Sequence, residues 1–274
     1  MSYRRIEFIG GPAIGKSALL KEVLKARLTS DTWETPGETL TQIARGQSAA
    51  LFPPNVRALM ILALRTGAFK TMQPALTSRI MDAFEEPAFL SSWPTCNGLL
   101  ELLFAWLAGA SHLEPYHKAK VAAFYLSVVK KHAMLAHFGA PGLVVDDDGI
   151  VHNNPKLADR DAYRALLRRD PRIGADIRPA GVVYCHLSLD AYCERRQKRI
   201  DRKAGIFLDR PLSRSELLAE CRRLLDLSAR KVEWMREDGV AILEVDMARN
   251  PAENSPAVLR FIRDADLPEQ APGG

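Results

Sequence analysis

The segment "RRIEFIGGPAIGKSALLKEVL", residues 4–24, constrains this chain more than any other. A short apolar run at 5–9 meets a glycine-rich turn, and from 16 to 28 the residues Ala18, Leu19, Leu20, Val23 and Leu24 recur at helical spacing. Strand, turn and helix therefore follow one another without a linker. Between strand and helix, Gly10, Gly11, Pro12, Ala13, Ile14, Gly15, Lys16 and Ser17 spell G-x-x-x-x-G-K-[ST]. In that pattern backbone N–H groups converge on a phosphate, and the following helix adds its positive end. The expectation is a nucleotide, ATP, held by residues 10–18 from Gly10 to Ala18. Lys16 would reach the β- and γ-phosphates, and the Ser17 hydroxyl would ligate Mg²⁺.

Three further runs rich in β-branched residues read as buried strands: "GLVVD" at 142–146, "GVVYCHL" at 181–187 and "VAILEVD" at 240–246. Helical stretches separate them, and runs apolar on both faces suit a parallel sheet covered on both sides. The predicted class is α/β, a three-layer αβα sheet of about five strands whose ligand edge lies at the strand C-termini. Residues 55–138 read as a helical insertion, with breaks at Pro74, Pro87, Pro94 and 112–115. Its most apolar window, "GLLELLFAWLAGA" at 98–110, contains Glu101 and is too short to span a bilayer, so it predicts a buried helix. With 274 residues, 47% of them hydrophobic, the chain supports one domain over 1–265 and a flexible tail over 266–274. Cys96, Cys185, Cys193 and Cys221 are far apart and lack metal-ligand spacing, which predicts reduced thiols, no zinc and a cytoplasmic location. The N-terminus has no room for a charged region followed by an apolar one, so no export signal and no membrane partner are expected.

Two more segments carry candidate chemistry. In "GLVVDDDGIVH" a strand runs into Asp146, Asp147, Asp148 and Gly149 at the edge where the glycine-rich loop lies. One carboxylate there can serve the Mg²⁺ shell and another can take a proton from an acceptor hydroxyl. Asp147 ranks first as base, with Asp146 and Asp148 as metal-side candidates; Asp148 and His152 are also placed to meet the acceptor. In "AYCERRQKRIDRKAG", Arg195, Arg199 and Arg202 recur at helical spacing and share one face. Such a row can close over a transferring phosphate as a lid, about 193–212. Arg196 falls off that face and is expected to be nearly silent. A formal charge of +5 suits an acidic small molecule as readily as nucleic acid. The absence of a recognised nucleic-acid module argues against the latter.

With these landmarks in this order, the chain resembles the nucleoside and nucleotide kinases of the P-loop superfamily, the thymidylate-kinase-like members in particular. "WETPGETLTQIARG" at 33–46 is similar to their segment after the second strand, where a Glu-Pro-Gly-Gly stretch and a later arginine meet the acceptor. Glu34, Pro36, Gly37 and Arg45 fall at comparable positions, with Thr35 inserted and Glu38 in place of the second glycine. The resemblance implies that Glu34 and Arg45 bind substrate. It also implies that Met247 to Asn250, after the last strand, line the base pocket. Where those kinases carry an Asp-Arg pair after the third strand, this chain has Asp-Asp-Asp-Gly. The arginine that handles an acceptor phosphate is therefore missing, and the enlarged helical middle implies a different or larger substrate.

The reading is an ATP- and Mg²⁺-dependent kinase that moves a γ-phosphoryl group to a hydroxyl or phosphate of a small nucleoside-, nucleotide- or sugar-like acceptor. It leaves room for a homodimer. The alternatives are a regulatory or nucleotide-sensing P-loop ATPase, and a kinase acting on an RNA or glycan end. A guanine-nucleotide switch is disfavoured: Asp146 to Gly149 match D-x-x-G, but the chain has no N-K-x-D.

Overall fold

The computed structural model describes residues 3–51, 73–202 and 213–266. Strands β1 (Arg5–Ile9), β2 (Val144–Asp146), β3 (Gly181–His186) and β4 (Ala241–Asp246) form one all-parallel sheet in the order β2-β1-β3-β4. Each apolar run read from the sequence is a strand, but the count of about five is corrected to four among the described residues. The missing strand is reduced to a single bridge, in which Glu34 N donates to Leu143 O at 3.0 Å and Val145 N donates to Glu34 O at 2.8 Å. Pro36 opens the next helix two residues later, and proline cannot continue a ladder, so the edge ends there.

Alternate strand residues enter two different cores. Ile6, Phe8, Val183, Cys185 and Val245 join Leu19, Leu20 and Val23 of α1 (Lys16–Lys25). Ile9, Val182, Tyr184 and Ile242 join Leu99, Leu103, Val128 and Val129 of the helical block. Helices thus cover both faces of the sheet, as the all-apolar strands require. Ile6, Phe8 and Ile9 are fully buried, each worth roughly 1.5–3 kcal/mol relative to exposure.

The helical block comprises α2 (Pro36–Leu51), α3 (Gln73–Asp82), α4 (Glu85–Ser91), α5 (Trp93–Gly109) and α6 (Pro115–His137). Pro94 and Pro115 sit in first turns, where the missing N–H costs nothing, so these expected breaks are helix starts. Residues 52–72 of the predicted insertion lie outside the described residues. The apolar window at 98–110 is helical, but it is not buried all round: Leu99, Leu103 and Leu107 face the core while Phe104 is 55% exposed. Among the described residues, no helix is long and apolar enough to cross a membrane.

Beyond β2 come α7 (Ile150–Asn153), α8 (Arg160–Arg169) and α9 (Pro171–Ile177), and beyond β3 comes α10 (Leu189–Arg202). The long α11 (Arg214–Glu237) starts in a reciprocal cap between Ser213 and Glu216. The last helix, α12 (Pro251–Asp266), packs on α1. Residues 203–212 of the expected lid and 267–274 of the expected tail lie outside the described residues.

Candidate functional site

The glycine-rich loop joins β1 to α1 at the C-terminal edge of the sheet. Ile14 is fully buried in the core and anchors it, while Gly15 takes φ +113°, a conformation that costs a side-chain-bearing residue dearly. Ile14 N donates to Gly11 O at 3.2 Å, and Lys16 Nζ donates to Gly10 O at 3.2 Å. Lys16 is only 9% exposed, and burial lowers its pKa against the pull of Asp148 and Asp147. Ser17 and Ala18 are exposed on the first turn of α1.

The acidic turn after β2 lies close enough for its carboxylates to act on that lysine. Its three aspartates have three different environments. Asp146 is 2% exposed: Oδ2 lies 2.8 Å from Lys131 Nζ and 3.2 Å from His132 Nε2, and Oδ1 accepts from Asp148 N at 2.9 Å. Burial pushes its pKa up, but His132 and Lys131 outweigh this and hold it well below the usual carboxylate range. This carboxylate, expected on the metal side, also anchors its own turn through these charges. Asp148 Oδ1 accepts from Asn153 Nδ2 at 2.8 Å. Asp147 is half-buried, and its carboxylate has no hydrogen-bond partner among the described residues.

Behind this turn lies a polar group within the sheet. Arg5 and Glu7, exposed 1% and 0%, sit two residues apart on β1 and pair at 2.8 Å between Nε and Oε1. Glu7 Oε2 accepts from Val151 N at 3.0 Å and His152 N at 3.2 Å, fixing the start of α7. A Cβ on Gly149 would stand 2.3 Å from Glu7 Cδ, so only glycine fits there. Lys231 of α11, 4% exposed, donates to His152 O at 2.8 Å; burial lowers its pKa to about 7 despite Glu7. Burial, with Lys16 and Lys231 nearby, also holds the His152 imidazole well below its ordinary value.

On α10 the predicted arginine row divides. Arg195 donates to Ile14 O at 2.6 Å and to Met247 O at 2.5 Å, clamping the glycine-rich loop to the segment after β4. Tyr192 adds a bond to Pro12 O at 2.9 Å. Arg199 is half-buried and close enough to Lys16 to lower its pKa, whereas Arg202 is exposed. Arg196 does fall off that face, and it is 3% exposed, on the buried stripe Tyr192, Arg196, Ile200. Those positions repeat every four residues, and it is the apolar members that set which face turns inward. Met247 is fully buried against the Gly15 position, while Ala248, Arg249 and Asn250 are exposed.

Glu34 and Arg45 lie elsewhere, in a cleft of about 1220 Å³ between α1, the 28–35 segment, α2, α3 and α6. The two residues that depart from the Glu-Pro-Gly-Gly pattern have a local role. Thr35 N donates to Glu38 Oε2 at 2.8 Å and Glu38 N reaches Thr35 Oγ1 at 3.4 Å, a reciprocal cap for α2. The signal T-x-x-E was present in the sequence. The cleft meets the acidic turn at Lys131, which lines it and donates to Asp148 O at 3.3 Å. Asp148 and His152 belong to the turn and do not line the cleft.

Glu7, Lys131, His132, Tyr192 and Lys231 were not foreseen. A charged pair inside an apolar strand, Arg5 and Glu7 in "RIEFI", was the one available signal. Neither a protein-family model nor a curated protein matches this chain.

Proposed function

We propose that the protein is an ATP- and Mg²⁺-dependent kinase for a small acceptor. The observation that carries this is the G-x-x-x-x-G-K-S turn between β1 and α1, with buried Lys16 under the influence of Asp147, Asp148 and Arg199. Loop amides and the N-terminus of α1 would receive the β- and γ-phosphates, with Lys16 turning from Gly10 O to them. Asp147, the aspartate whose carboxylate has no hydrogen-bond partner among the described residues, takes the proton of the acceptor hydroxyl. That oxygen then forms the new bond to the γ-phosphorus, the bridging P–O bond breaks, and ADP leaves. Arg199 stabilises charge on the phosphoryl oxygens as they separate.

The residues fit a magnesium ion in part. The exposed Ser17 hydroxyl and an oxygen of Asp147 or Asp148 are suitable hard ligands, and Asp146 Oδ2, close to Lys131 and His132 but without a hydrogen bond among the described residues, is another hard donor on that side. The ion would neutralise phosphate charge when bound. Arg195 and Tyr192 keep the loop in shape, and Glu7 and Lys231 set the position of the turn that carries Asp147.

The test is Lys16→Ala, assayed by calorimetry with Mg·ATP and by acceptor-dependent ADP release. Loss of tight ATP binding with an unchanged circular dichroism spectrum is expected. Unchanged ATP affinity would overturn the nucleotide reading. Arg199→Ala separates a kinase from a nucleotide sensor: a kinase loses turnover beyond any loss of ATP affinity, whereas a sensor loses affinity alone.

A further inference from the structure

We propose that the cleft beside Glu34 takes a hydroxyl-rich molecule that carries a protonated amine and no phosphate, and that this is the acceptor. The second half of the statement rests on the kinase reading above; the first does not.

Three cations of the wall, Arg27, Lys130 and Lys131, are already committed. Arg27 meets both carboxylate oxygens of Glu38, at 2.9 and 2.6 Å. Lys130 pairs with Glu85, and Lys131 pairs with Asp146 at 2.8 Å. Arg45 has an interaction of its own as well. To recruit Arg27, Lys130 or Lys131 for a phosphate would break an ion pair and leave a carboxylate behind.

The carboxylates of the wall are in the opposite condition. Glu34 accepts from the neutral Gln42 amide, and exposed Asp82 stands across the cleft on α3. Neither is in an ion pair among the described residues. Thr41, Thr77 and Ser78 add hydroxyls between them. A wall with committed cations, two available carboxylates and several hydroxyls matches a ligand rich in donors and positive charge. At about 1220 Å³ the space exceeds the usual ~300–1,000 Å³ of a small-molecule pocket, so it admits more than one ring. Through Lys131 the cleft opens beside the turn that holds Asp147, so a ligand hydroxyl can approach the base.

Calorimetry on the full chain tests this with three probes: kanamycin A, an amine-bearing molecule of three rings; raffinose, an uncharged trisaccharide; and thymidine 5′-monophosphate. The chain's net charge of +5 disfavours indiscriminate attraction of a polyamine. Kanamycin A is expected to bind at least about tenfold more tightly than either other probe, a preference that weakens with salt. Asp82→Asn, at an exposed position where folding is not at risk, and Glu34→Gln should each reduce that affinity about fivefold or more, in line with loss of one charged contact. Equal or tighter binding of thymidine 5′-monophosphate, no binding of kanamycin A, or indifference to both substitutions would overturn the proposal. ADP release is measured separately. Selective kanamycin A binding without ADP release under Mg·ATP would uphold the cleft's chemistry and overturn the kinase reading.

Discussion

The turns that end β1 and β2 lie side by side on one sheet edge, yet different forces hold them in place. The first is positioned by backbone conformation and an apolar anchor: Gly15 at φ +113° and the fully buried Ile14. The second is positioned by charge, with Asp146 held by Lys131 and His132, and the start of α7 held by Glu7 and Lys231. The lesson concerns robustness. A loop set by its own dihedrals and an apolar anchor takes only neutral-carbonyl clamps from Tyr192 and Arg195 of α10, whereas a turn fixed by ion pairs depends on charged groups from β1, α6 and α11 and on their protonation.

The largest expected effect sharpens the contrast within the second turn. Asp147→Asn keeps shape but removes the base, so turnover should fall by roughly 10² to 10⁴-fold with ATP affinity retained. Steady-state kinetics beside calorimetry checks this, and an unaffected rate would move the base to Asp148.

Asp146→Asn should act on the fold instead. It leaves Lys131 without its counter-charge, at a cost of about 3 kcal/mol for a buried pair broken on one side. Urea unfolding measures the loss. Because the folded Asp146 pKa lies below its unfolded value, this stability is present above the unfolded value and disappears as pH falls through the folded one. The gap between wild type and variant should therefore close in acid.

Arg195→Ala probes the first turn from outside. Two hydrogen bonds from a charged donor are lost, so a cost of about 2 kcal/mol is expected, shared between stability and ATP affinity. If turnover at saturating ATP fell more than either, Arg195 would belong to the chemistry with Arg199.

Lys231→Met gives the clearest signature, read as a slope against pH. The folded pKa of Lys231 is about 7, below an unfolded value of about 10.4. Between them the unfolded chain holds a proton that the folded chain lacks, so stability rises with pH across that window, by up to ~1.4 kcal/mol per unit. The variant should flatten that slope in urea titrations at pH 7 to 10. An unchanged slope would mean that Lys231 is charged in place, paired with Glu7.

The sequence by itself determined the strands, the class and the loop, because these are local. Apolar runs set the strands, a G-x-x-x-x-G-K-S turn carries its glycines and its apolar anchor within eight residues, and a prolonged helical pattern after residue 73 yields helices wherever it is packed. Even Thr35 and Glu38, read as departures from a family pattern, were a legible helix cap. Tertiary structure decided what the charges do, since a charged residue's role depends on what faces it. Asp146, Asp147 and Asp148 look alike in the chain, yet packing of α6 against β2 makes the first an anchor and leaves the second available. Arg195 and Arg196 are neighbours, but the turn of α10 sends one to the Ile14 carbonyl and the other into the core. Glu7 carried a signal without a meaning, a carboxylate inside an apolar strand. Only the approach of Gly149, Val151 and His152 from a segment more than 140 residues away supplied its purpose, because a buried charge is tolerated where backbone donors and a paired cation surround it.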